Sequence, residues 1–168
     1  MACPKRWRVV DDTVNADGAY KLACEGTALI WQGDFQNARQ LLQALGRRVD
    51  KAAERRAARA PKPGAAGTAP LTPAQAFHRH RHELGQRAAV LGQLLIPLEP
   101  DLGIDLHRAP DWREACAEAY GAPGPDSEPR LVSLRELLGL NGAHEWRKKG
   151  VPIAALGGAT VHAHYGVF

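Results

Sequence analysis

The sequence predicts a mainly α protein whose chain closes on a short β-strand or hairpin. Three observations carry this: apolar residues recur at helical spacing over most of the chain, two Ser/Thr-x-x-Gln/Glu capping signatures open helices, and clear strand-like alternation is confined to the stretch after Val151.

The elements follow in order. After a short RWRVV stretch, Asp17 can cap a helix whose apolar positions Tyr20, Cys24, Ala28 and Trp31 recur at near-helical spacing, with Gly33 ending it. Asp34 restarts a second helix with Phe35, Ala38, Leu42, Leu45, Val49 and Ala52 on one stripe, so that 17–59 reads as a helical hairpin with a very short turn. Its end is basic, through Arg47, Arg48, Lys51, Arg55, Arg56 and Arg59 against Asp50 and Glu54, which suits a helix C-terminus. APKPGAAGTAPL is rich in Pro, Gly and Ala and reads as a flexible linker over 60–71. Thr72 then caps a long helix, with Pro73 in its first turn, Gln75 completing a capping box, and Phe77, Leu84, Ala88, Leu91 and Leu95 as its stripe before Pro97 stops it. DLGIDLHRAP reads as loop or a short extended piece. Asp111 opens a helix through WREACAEAYG that Gly121 ends. Ser133 and Glu136 form a second capping box ahead of SLRELLGL, and AHEWRKKG adds one or two further turns.

The closing stretch VPIAALGGATVHAHYGVF sets Val161, Ala163, Tyr165 and Val167 on one face of a strand, with His162, His164, Gly166 and Phe168 on the other. A strand needs a partner, and the sequence offers no second long strand run before it. The partner is therefore expected beyond Phe168, and the chain is read as a fragment.

The 168 residues can bury one moderate core or two small lobes, and a formal charge of +4 permits a polyanion partner without demanding one. Cys3, Cys24 and Cys116 are odd in number, far apart and free of any CxxC pair, which fits a reduced cytosolic compartment. The sequence has neither a secretory apolar region near its start nor an apolar run of membrane-spanning length.

The densest polar cluster is FHRHRHELGQR. His78 and His82 stand four apart, as a metal-binding pair would, but neither an HExxH motif nor a matched Cys/His set supplies further ligands. His80 shares the stripe of Phe77 and Leu84 and reads as a packing residue. Arg79, Arg81 and Arg87 form a basic edge able to pair with phosphates, or a solvated polar face. Arg147, Lys148 and Lys149 follow Trp146, a combination that suits charge plus stacking on nucleic acid, or the end of a helix anchored by Trp146. GAAG and LGGAT lack the strand that a phosphate loop requires, the GxSxG elbow is absent, and Cys116 has no neighbouring histidine.

The residues Val151-Pro152, Gly157-Gly158 and Tyr165-Gly166-Val167-Phe168 resemble the hairpin lead-in of class I S-adenosylmethionine-dependent methyltransferases of the small-domain type. GDFQNARQLLQALGRR and SLRELLGLNGAHEWRKKG resemble the helical N-terminal region of bacterial members. The Gly-rich cofactor loop and the Asn-Pro-Pro-aromatic clamp of such enzymes do not occur in the chain. The resemblance thus implies a helical hairpin unit over 1–59, a helical substrate-recognition or support region over 72–150, and a β lead-in over 151–168 to an absent methyltransferase domain. It also implies a parent that methylates nucleic acid or protein, with Tyr165 and Phe168 near the mouth of its cofactor pocket. On this reading the fragment has no catalytic residue and no cofactor of its own. The alternative is a free-standing helical nucleic-acid-binding module using Arg79, Arg81, Arg87, Arg147, Lys148 and Lys149.

Overall fold

A computed structural model describes residues 5–59, 71–164 and 166. The order is β1 (Trp7–Val10), α1 (Ala16–Cys24), β2 (Ala28–Trp31), α2 (Phe35–Arg59), α3 (Pro73–Leu91), β3 (Leu94–Leu98), α4 (Arg113–Tyr120), β4 (Arg130–Ser133), α5 (Leu134–Lys149), β5 (Val151–Pro152) and β6 (Thr160–Val161).

Strands β1 to β4 form one mixed sheet in sequence order, with β1, β2 and β3 parallel and β4 antiparallel to β3. The mainly α expectation is therefore corrected: the fold is mixed α/β. The reason is physical. ALIW and LLIPL are four- and five-residue buried runs, and an unbroken apolar run this short prolongs a helical stripe as readily as it makes a parallel strand. Ala28 and Trp31, expected on the first helix, lie in β2, so α1 and α2 are separated by a strand and the expected helical hairpin over 17–59 does not form. Leu95, expected on the long helix, lies in β3, and so does Pro97. β2 pairs only with Leu94 and Leu95, so Pro97 sits past the end of that ladder, where a missing N–H is tolerated.

The capping signals are met in part: Asn15 and not Asp17 caps α1, α4 starts after Trp112 without a side-chain cap in place of Asp111, and of the two expected capping boxes only that at Thr72 is complete, Glu136 turning to the Tyr120 hydroxyl. Thr72 accepts from Gln75 N and Gln75 reaches back to the Thr72 N–H, and Ser133 accepts from Glu136 N at 3.2 Å. α2 starts just after Asp34 and buries Phe35, Ala38, Leu45 and Val49, with Leu41 turned inward in place of Leu42. α4 ends at Gly121, whose φ of 89° favours glycine. α5 runs unbroken to Lys149.

One face of the sheet carries Leu29, Trp31, Leu94, Ile96, Leu98 and Val132 into a core shared with Phe35 and Leu45 of α2 and Leu137 and Leu140 of α5. The reverse face carries Trp7 and Val9, which pair with Ala28 and Ile30, and Leu131, which pairs with Pro97. Trp7, Val9 and Leu131 are exposed, Trp7 by 62%. The sheet joins β2 from before residues 60–70 with β3 from after them, so the two predicted helical regions share one core.

The ribbon after α5 also differs from expectation. β5 and β6 pair antiparallel, Val151 with Val161 and Pro152 with Thr160, around a 3-10 turn at Ala154–Leu156. The partner expected beyond the chain end is thus supplied, for Thr160–Val161, from within it. Tyr165, Val167 and Phe168 lie outside the described residues.

Candidate nucleic-acid interface

Polar chemistry gathers at two places. The first is the C-terminal end of the parallel strands, where open α/β sheets bind ligands most often. Asp12 follows β1, Asp34 follows β2, and His107 and Arg108 come from the loop after β3. Asp34 is buried, and its Oδ2 lies 2.6 Å from His107 Nδ1 and 2.5 Å from Arg108 Nε, while Oδ1 accepts from Gln36 N. The Arg108 guanidinium holds the Asp34 carboxyl far below the ordinary carboxylate range, with His107 and the Gln36 amide adding to it against the effect of burial. Asp12 accepts from Asp34 N at 3.1 Å and from Asn37 Nδ2 at 2.9 Å. A Cβ on Gly33 would stand 2.7 Å from Asp12 Oδ1, so the space between the two loops is filled. These carboxylates spend their acceptors on the first turn of α2 and on the β3 loop. The arrangement is a structural pin.

The second place is the arm formed by α2 and α3. These two helices hold ten of the 22 Lys and Arg residues but three of the 18 Asp and Glu residues. The whole excess of positive charge therefore resides there, and the remainder of the chain is net acidic. α3 adds His78, His80 and His82, all exposed, and the described residues contain no group of His, Cys, Asp and Glu able to hold a metal ion. His80 is solvent-exposed along with Phe77 and Leu84, the stripe it was expected to pack with.

The six cations singled out from the sequence fall on two separate elements, and most are engaged by acids. Arg79 pairs with Glu83 one turn on, at 3.1 Å, and Arg81 lies over the Phe77 ring. Arg87 crosses to α2 and pairs with Asp50 at 2.9 Å, which holds the Asp50 carboxyl low. On α5, Arg147 pairs with Glu118 of α4, Lys148 approaches Glu114 at 3.8 Å, and Lys149 approaches Glu145 at 3.9 Å. Buried His144 lies 3.1 Å from the same Glu118. The α5 cluster is thus largely a seam between α4 and α5. Cys116 is buried in the core and burial pushes its thiol up, which suits packing and not nucleophilic attack. Tyr165 and Phe168, the cofactor-side pair implied by resemblance, lie outside the described residues.

The uncompensated cations lie elsewhere. Arg47, Lys51, Arg55 and Arg59 follow one another at i, i+4 on α2, and among the described residues none of them has an ion-pair partner. Such a row raises the helix's own free energy by like-charge repulsion, a cost that an anion laid along it removes. Arg47, Lys51 and Arg55 line a cleft of about 550 Å³ between α1 and α2, together with Tyr20 and the Arg48–Asp17 ion pair. Tyr20 also lines a second cleft of about 350 Å³, between α1, α2 and α3. Burial, together with the Cys24 thiol beside it, pushes the Tyr20 hydroxyl up, against the pull of Arg56. The sequence displays this row, but its basic residues read equally well as a helix end. What gives it meaning is α1 packing alongside, which only the strand between the two helices allows.

No membrane-crossing length of apolar helix occurs among the described residues. No family model, no curated protein and no solved structure matches this chain.

Proposed function

We propose that this chain is a nucleic-acid-recognition module, serving as the substrate-recognition or accessory region of an S-adenosylmethionine-dependent methyltransferase and not catalytic by itself. One observation carries the reading: the positive charge is concentrated on the α2–α3 arm, with an uncompensated row of four cations, while the rest of the molecule is net acidic. Charge segregated in this way steers and holds a polyanion, where the same charge dispersed would serve solubility alone. The pin at Asp34 supports the accessory role, because that carboxylate is engaged by Arg108 and His107 and so is tied up in holding the fold. So does the reverse face of the sheet, whose exposed Trp7, Val9 and Leu131 suit contact with further protein.

The test is a pair of titrations on the chain as it stands. A labelled RNA 20-mer is expected to bind with an affinity that falls linearly with salt on logarithmic axes. Calorimetry with S-adenosylmethionine is expected to give no heat. RNA binding that is undetectable, or indifferent to salt, refutes the recognition role. Tight cofactor binding refutes the accessory one.

A further inference from the structure

We propose that the two clefts astride Tyr20 form a seat for a single strand of nucleic acid, its phosphates running along Arg47, Lys51 and Arg55 and one base entering the neighbouring cleft. The inference rests on the nucleic-acid reading above and assigns it a path and a strand state.

Geometry argues for a single strand. Cations four residues apart on a helix are separated by about 6 Å along its axis, a spacing suited to successive phosphates of one extended strand. The exposed row borders a cleft with α1 as its second wall, and the neighbouring cleft that Tyr20 also lines offers room for an unpaired base, which a duplex keeps stacked inside. Guanidinium groups at Arg47 and Arg55 can meet phosphate oxygens bidentately, with the Lys51 ammonium as a point charge between them. Arg48 is occupied by Asp17 at 2.7 Å and shapes the rim.

Composition argues for the base. The second cleft has apolar walls at Ala23, Val49, Ala89 and Val90, and polar groups at Gln86, Gln93 and Arg56. Apolar plates with a few amides at the edge suit an unstacked base, which needs a flat surface and groups that donate and accept along its rim. Tyr20 lines both clefts, so a strand whose phosphates follow the row passes its ring at the crossing.

The experiment compares charge reversal at two places by fluorescence polarisation, using a labelled single-stranded 12-mer and the corresponding duplex. Arg47→Glu, Lys51→Glu and Arg55→Glu together are expected to weaken single-strand binding at least tenfold. The matched alanine triple is expected to lower the salt slope by about 2, since each single-strand phosphate contact contributes about 0.7. The same number of reversals at Arg147, Lys148 and Lys149 is expected to change affinity less than threefold. Arg47, Lys51 and Arg55 are exposed and Gln93 is half-buried, and circular dichroism of each variant verifies the fold. Gln93→Ala is expected to alter the preference among homopolymers and to leave the salt slope unchanged. Equal losses from the two triples, or duplex binding as tight as single-strand binding, overturn the seat and leave the recognition module standing. Absence of all nucleic-acid binding by the unaltered chain removes the recognition module as well.

Discussion

Arg108 Nε donates to Asp34 Oδ2 at 2.5 Å, across 74 residues of chain, from a backbone held at φ 55°. That left-handed conformation is unfavourable for an arginine, and the contact it secures fixes the loop after β3 over the first turn of α2. Phe35 N donates to His107 O at 3.0 Å beside it, so main chain and side chain hold the same joint.

The joint sets the response to acid. Arg108 and His107 keep the Asp34 carboxyl ionised well below its ordinary range, so the stabilisation is fully present above the unfolded-state value of about 4 and is lost as pH falls toward the depressed folded value. Asp50 is lowered through Arg87, Asp101 through the Gly103 amide and then Arg113, and Asp111 through the Arg113 amide and then its guanidinium, and all three act with the same sign. The urea midpoint is therefore expected to hold steady from pH 7 to pH 5 and to fall below pH 4. Asp34→Asn should lower the midpoint at pH 7 and flatten that acid decline. An unchanged decline in the variant would assign it to the other carboxylates.

Legibility from sequence followed the range of the signal. Thr72, Ser133 and Gly121 act within one turn of helix, and each punctuates the chain where its chemistry says. Trp31 and Leu95 depend on what packs against them, and their short apolar runs carry no period long enough to separate strand from helix. The same holds for the interface. Arg79 and Arg147 stand out in the sequence because they sit beside histidines or Trp146, but their engagement by Glu83 and Glu118 shows only in three dimensions. Arg47, Lys51 and Arg55 looked like the end of a helix because the wall supplied by α1 is a tertiary fact.

Leu94 tests the corrected fold. It is fully buried, pairs with Leu29 in the parallel ladder and belongs to the single core cluster. Leu94→Ala is expected to cost about 2–5 kcal/mol by chemical denaturation. Unfolding should remain one transition, because strands from both sides of residues 60–70 share that core. Two separated transitions would mean that the halves fold independently.

Thr72 governs the start of the exposed arm. Its hydroxyl accepts from Gln75 N at 3.3 Å, and α3 buries nothing before its last residue, so little but the cap holds the first turns in place. Thr72→Ala is expected to cost about 1 kcal/mol. The loss should appear as faster amide exchange confined to the first turns of α3, with Leu91 and β3 unaffected. Uniformly faster exchange would show that the cap supports the whole fold.

Gly150 joins α5 to the terminal hairpin with φ 73° and ψ 160°, a conformation open to glycine and strained for other residues. A Cβ placed there would meet Thr160 Cγ2 and stand 2.8 Å from the His162 ring, whose Nδ1 lies 2.6 Å from Arg147 O. Backbone strain alone is expected to make Gly150→Ala cost about 1–3 kcal/mol, with the steric conflict falling on the hairpin. The variant should keep its α-helical dichroism while the Val151–Val161 pairing loses its amide protection. Full protection of that pairing in the variant would show that the hairpin can shift as a body, and that Gly150 does not fix its angle to α5.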